Sequence, residues 1–76
     1  METMRPTAEL IRLANQLGVK KTEIAMRIGA SPEDIQETLR RREIEEEQFR
    51  LLKIQILEAA LLHEGRKKIN DSQRDN

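Results

Sequence analysis

Apolar residues recur along the first third of the chain at helical spacing. Leu10, Leu13, Ala14 and Leu17 follow the i, i+3, i+4, i+7 pattern, which places four apolar side chains on one face and leaves Arg12, Asn15 and Gln16 outward. This predicts a first helix that starts near Pro6, whose fixed φ suits an opening turn, and ends at Leu17 with Gly18 as its left-handed cap. A second, shorter helix is expected from about Lys21 to Ile28, with Ile24, Ala25 and Ile28 inward and Gly29 stopping it. The run Ser31-Pro32-Glu33-Asp34 is a helix start, because Ser31 can cap, Pro32 fits the first turn, and two carboxylates meet the positive end of the dipole. No proline or glycine occurs from Glu33 to Glu64, so the pattern predicts one continuous third helix from Pro32 to Glu64. It would be about 50 Å long at ~1.5 Å per residue.

That helix changes character midway. From Arg40 to Glu47 it is charged, with Arg41/Glu45, Arg42/Glu46 and Glu46/Arg50 four residues apart and able to pair. From Phe49 to Leu62 it holds ten apolar residues that fall on nearly every side. A helix apolar all round must be covered, and one small domain offers too little surface for both faces, so one face is expected on the rest of the chain and the other on a second copy. Ile44, Phe49, Leu52, Ile56, Leu57, Ala60 and Leu61 are the expected oligomerisation residues. The predicted organisation is a head over residues 1–42, a self-association helix over 43–68 and a polar, frayed tail over 69–76.

A chain of 76 residues buries only a marginal core, and with no cysteine it has neither disulfides nor a thiolate metal cluster to reinforce it. Oligomerisation is the remaining reinforcement. No apolar run is long enough to span a membrane, and Glu2 and Arg5 stand where a signal peptide would be hydrophobic, so the expected location is cytoplasmic. Net charge is zero, but residues 1–42 carry eight Lys and Arg against six acids and residues 43–76 carry six against eight. The basic excess lies in the head.

The segment from Lys20 to Leu39 resembles the helix-turn-helix superfamily of small bacterial and phage DNA-binding regulators. Ala25 is small where two helices cross closely, Gly29 and Ala30 occupy the turn, and Ile24, Ile28, Ile35 and Leu39 fall at core positions. The resemblance covers residues 20–40, or 8–40 with the supporting first helix. It implies a tri-helical head and says nothing about the rest; with the apolar helix that follows, the expected fold is all-α, a tri-helical helix-turn-helix head with a long C-terminal oligomerisation helix. The resemblance also implies that the second helix of the motif enters the major groove of double-stranded DNA. Carried over by position, Glu33, Gln36 and Glu37 would face base edges, with Gln36 suited to adenine. Lys20, Lys21 and Thr22 would meet phosphates, and Arg40 and Arg41 would reach the flanking backbone.

Glu33, Asp34 and Glu37 depart from this pattern by placing carboxylates nearest the polyanion. The plainer role of Glu33 and Asp34 is to stabilise the helix start, and that of Glu37 is to pair with Arg41. The leading expectation is a homodimeric transcriptional regulator of phage or plasmid type. The alternative is a protein-docking adaptor, antirepressor or inhibitor that uses the same head on another regulatory protein. No phosphate loop, nucleophile set or convergent carboxylate pair is present in the sequence, so neither catalysis nor a cofactor is expected. His63, the single histidine, lacks companions for a metal site and reads as a partly exposed helix residue, Arg66-Lys67-Lys68 as a charged terminal turn, and Met26 and Phe49 as packing residues.

Overall fold

The computed structural model of the chain describes the backbone of residues 3–74 and the side chains of residues 3–64. It is mostly helical: β1 (Met4–Pro6), α1 (Thr7–Leu17), α2 (Lys21–Ile28), α3 (Pro32–Arg40), β2 (Glu43–Glu45) and α4 (Glu46–Arg74) follow in order. The two strands form one antiparallel pair with Arg5 opposite Ile44. This is strand structure that a purely helical reading does not contain.

The first three helices begin and end where their local chemistry directs. α1 follows the extended Pro6 and stops at Gly18, whose φ of 70° is left-handed, with the Val19 N–H donating to the Ala14 carbonyl at 2.9 Å. α2 stops in the same way at Gly29, φ 73°, where the Ala30 N–H donates to the Ala25 carbonyl. A Cβ built at Gly29 meets nothing within 4 Å, so glycine is needed there for its backbone conformation and not for space. Ser31 caps α3 by accepting from the Asp34 N–H at 3.2 Å, and Pro32 opens its first turn.

The expected continuous helix from Pro32 to Glu64 does not form. α3 ends at Arg40, and Arg41 turns extended with ψ 146°. The cause is tertiary. Thr7, buried at the start of α1, directs its hydroxyl at the Arg41 and Arg42 carbonyls and donates its N–H to Arg42 at 3.1 Å. These carbonyls would otherwise accept from residues farther along a helix. Ile44 then swings inward to 2 % exposure, flanked by the exposed Glu43 and Glu45. The bond from the Glu46 N–H to the Thr3 carbonyl completes the clasp as α4 begins. At its other end α4 runs through Gly65 to Arg74, past the expected limit of the long helix at residue 68, and so takes in most of the tail expected to fray. A lone interior glycine costs a helix only about 1 kcal/mol against alanine and does not compel it to end.

One hydrophobic cluster joins all four helices. Leu10 and Ala14 of α1, Ile24 and Ala25 of α2, and Ile35 and Leu39 of α3 meet Phe49, Leu52, Ile56 and Ala59 of α4, with Val19 and Ile44 closing the gaps. α3 packs on α1 and α2, whereas α4 packs on α1, α2 and the strands. The outer face of α3 and the outer face of α4 are therefore left open on different parts of the surface. Among the described residues no helix is long and apolar enough to cross a membrane.

Candidate nucleic-acid interface

α3 turns only Ile35 and Leu39 fully inward, and this fixes what it presents outside. Glu33, Gln36, Glu37 and Arg40 are all exposed and line one shallow surface depression. Asp34 is exposed at the start of the helix, where its N–H is held by Ser31. Gln36 and Arg40, four residues apart, lie on one side of the helix as the sequence placed them. Lys20, Lys21 and Thr22 are exposed at the N-terminal end of α2, and Arg41 is exposed just past α3.

Charge on this surface is uncommitted. Among the described residues Lys20, Lys21, Arg40 and Arg41 make no ion pair, whereas Arg5, Arg27 and Arg50 each do. Glu33 and Glu37 are likewise unpaired among the described residues. The expected Glu37/Arg41 pair is absent because Arg41 has left the helix. The Arg41/Glu45 and Arg42/Glu46 pairs fail for the same reason, since both arginines precede a strand. Glu46/Arg50, which stays helical, does form at 3.4 Å.

The residues expected to oligomerise divide by face. Ile44, Phe49, Leu52 and Ile56 are buried in the chain's own core and cannot reach a second copy, and Ala60 is partly buried against it. Leu57 and Leu61 are 41 % and 67 % exposed and share the outer face of α4 with Leu51, Ile54 and Leu62. Helical periodicity alone could not separate the two sets, because both faces are apolar.

Sequence reasoning missed a set of polar contacts that fixes α4 on α2. The Arg27 guanidinium donates to Gln55 Oε1 at 2.9 Å and to Glu58 Oε2 at 2.5 Å, and His63 Nε2 lies 2.8 Å from Glu23 Oε2. The advance signal was helical spacing: Gln55 and Glu58 are three apart on α4, and Glu23 and Arg27 four apart on α2. Arg5, in β1, plays a similar part, with its guanidinium 4.6 Å from the centre of the Phe49 ring and its charge near Glu9 and Glu46. Met26, expected to pack, is 82 % exposed on α2, so it contributes nothing to the core.

Comparison with known protein families, curated proteins and solved structures yields no match.

Proposed function

We propose that the chain is a small homodimeric helix-turn-helix transcriptional regulator of phage or plasmid type that binds double-stranded DNA in the cytoplasm. The observation that carries this reading is the join of α2 to α3. Two short helices meet through a three-residue turn opened by a left-handed Gly29, with Ala25 fully buried at their crossing and the outer face of α3 wholly open. That arrangement suits insertion of α3 into a major groove. In this reading Gln36 reads a base edge, while Lys20, Lys21, Thr22, Arg40 and Arg41 hold phosphates. Glu33 and Glu37 limit non-specific affinity, or one of them accepts from a cytosine amino group. Leu57 and Leu61 on the outer face of α4 join two copies.

Glu33 and Glu37, exposed and unpaired among the described residues, favour a second reading from a different class: α3 docks on a basic surface of another regulatory protein, as an antirepressor or adaptor would. A salt titration of binding to random duplex and to DNA flanking the gene separates the two. Counterion release makes log affinity fall steeply with log salt when several phosphates are contacted. No binding to any duplex at about 50 mM salt, by the parent and by Glu33→Gln and Glu37→Gln, would replace the DNA reading with protein docking.

A further inference from the structure

We infer that the second copy lies antiparallel, with its α4 related to the first by a two-fold axis at Leu57. This rests on the self-association reading above and adds its orientation and register. The outward residues of α4 are nearly palindromic about Leu57: Ile54 and Leu61 lie three before and four after it, and Leu51 and Leu62 six before and five after. Arg50 and Glu64 stand seven before and seven after. Residues seven apart on an α-helix fall almost on one line, so Arg50, Leu57 and Glu64 make a single column along one flank of the apolar face.

A two-fold axis perpendicular to the helix pair lays this column against its own reverse. Leu57 then meets Leu57, Ile54 lies nearly level with Leu61 of the second copy, and Leu51 with Leu62. Each Arg50 faces a Glu64 at both ends of the contact. A parallel pair, whose two-fold axis runs along the helices, would instead set this column of one copy on the opposite flank from that of the other, so that Leu57 would not meet Leu57 and Arg50 would have no Glu64 beside it. The charge pairing therefore exists only in the antiparallel arrangement. Both groups are available: Arg50 is 73 % exposed, with a 3.4 Å contact to Glu46 on its own helix, and Glu64 is exposed. Of the other acids on this side of α4, Glu58 is already matched by Arg27 within the chain at 2.5 Å, and the exposed Glu47 lies one turn beyond Arg50. Each head, packed on the opposite side of its α4, then stands outside the helix pair with its α3 face uncovered.

The chain has no cysteine, so thiols introduced at two positions are unique. Ile54→Cys/Leu61→Cys, which keeps Arg50 and Glu64, would be oxidised at a concentration where it is dimeric, digested with a glutamate-specific protease, and its linked peptides identified by mass. The expected product joins position 54 to position 61. It must be intermolecular, because seven residues of helix separate the two by about 10.5 Å, against a limit near 7 Å for a disulfide. Links of 54 to 54 and 61 to 61 would overturn the orientation and leave self-association standing. A parent that sediments as a monomer at micromolar concentration would overturn both. As a second measure, Arg50→Glu should weaken the dimer about tenfold and Arg50→Glu/Glu64→Arg should restore it. A dimer indifferent to the single reversal is not antiparallel in this register.

Discussion

Glu23 and His63, forty residues apart in sequence, stand 2.8 Å apart where α2 meets α4. One helix turn along α2, Arg27 of the same face reaches Gln55 and Glu58. Together they hold the long helix to the first helix of the proposed DNA-binding motif. Both pairs are partly open to solvent, so their value is modest and rests on geometry more than on charge.

Arg27→Ala should therefore cost about 1 kcal/mol and His63→Ala about half of that. For a domain of this size, 1 kcal/mol lowers Tm by about 4–8 °C. Calorimetry of the two single variants and the double gives their coupling. If neither variant melts below the parent, α4 is held by its apolar face alone.

Ala25 and Gly29 fail in different ways when enlarged. Ala25 is fully buried, so Ala25→Leu must push two helices apart and should cost about 1–3 kcal/mol. Gly29 has open space around a Cβ but a φ of 73°, so Gly29→Val should cost about 1–2 kcal/mol through backbone strain alone. Gly29→Asn should recover much of that, because asparagine tolerates the left-handed region. Equal melting of the Val and Asn variants would show that the conformation at this turn is unimportant.

The two faces of α4 should respond differently to the same chemistry. Leu52→Asp puts a carboxylate among core side chains and should unfold the chain, seen as loss of helical circular dichroism at 25 °C. Leu57→Asp touches only the outer face and should give a helical monomer. Sedimentation run beside circular dichroism tests both. A Leu57→Asp protein that remains dimeric would remove this face from the contact.

On DNA, Lys20→Ala/Lys21→Ala should weaken binding to all sequences alike and reduce the salt slope by about one unit per lost phosphate contact. Gln36→Ala should cost about 1–3 kcal/mol on the preferred site and little on random duplex. Glu33→Gln and Glu37→Gln should strengthen non-specific binding by removing like charge near phosphates. A Gln36→Ala protein that loses affinity equally on every duplex would place Gln36 at the backbone.

Much of this was legible from the chain. Gly18, Gly29 and Ser31-Pro32 set helix limits by local backbone chemistry, and those limits appear where the sequence put them. The outward position of Glu33, Gln36, Glu37 and Arg40 followed from Ile35 and Leu39 facing in. The break after Arg40 was not legible, since it depends on a threonine over thirty residues earlier and on a strand whose partner contains a proline. Glu43-Ile44-Glu45 did carry the alternation of a half-buried strand, but three residues are too few to outweigh the helical charge pairs around them. Neither could the sequence divide the apolar residues of α4 between core and surface, because that division depends on which side the head occupies.

The clasp between β1 and β2 has a consequence for how the chain comes into being. During synthesis the three short helices emerge first, but the strand at Met4–Pro6 has no mate until Ile44 appears, and Leu10 and Ile24 lack their cover until Phe49, Leu52 and Ile56 follow. A nascent chain stopped at residue 42 holds the proposed DNA-reading surface without the apolar support that keeps it in shape. Contacts this far apart in sequence form only after the intervening loop has closed. Competence to recognise a target thus arrives with α4, the same helix proposed to bring two copies together.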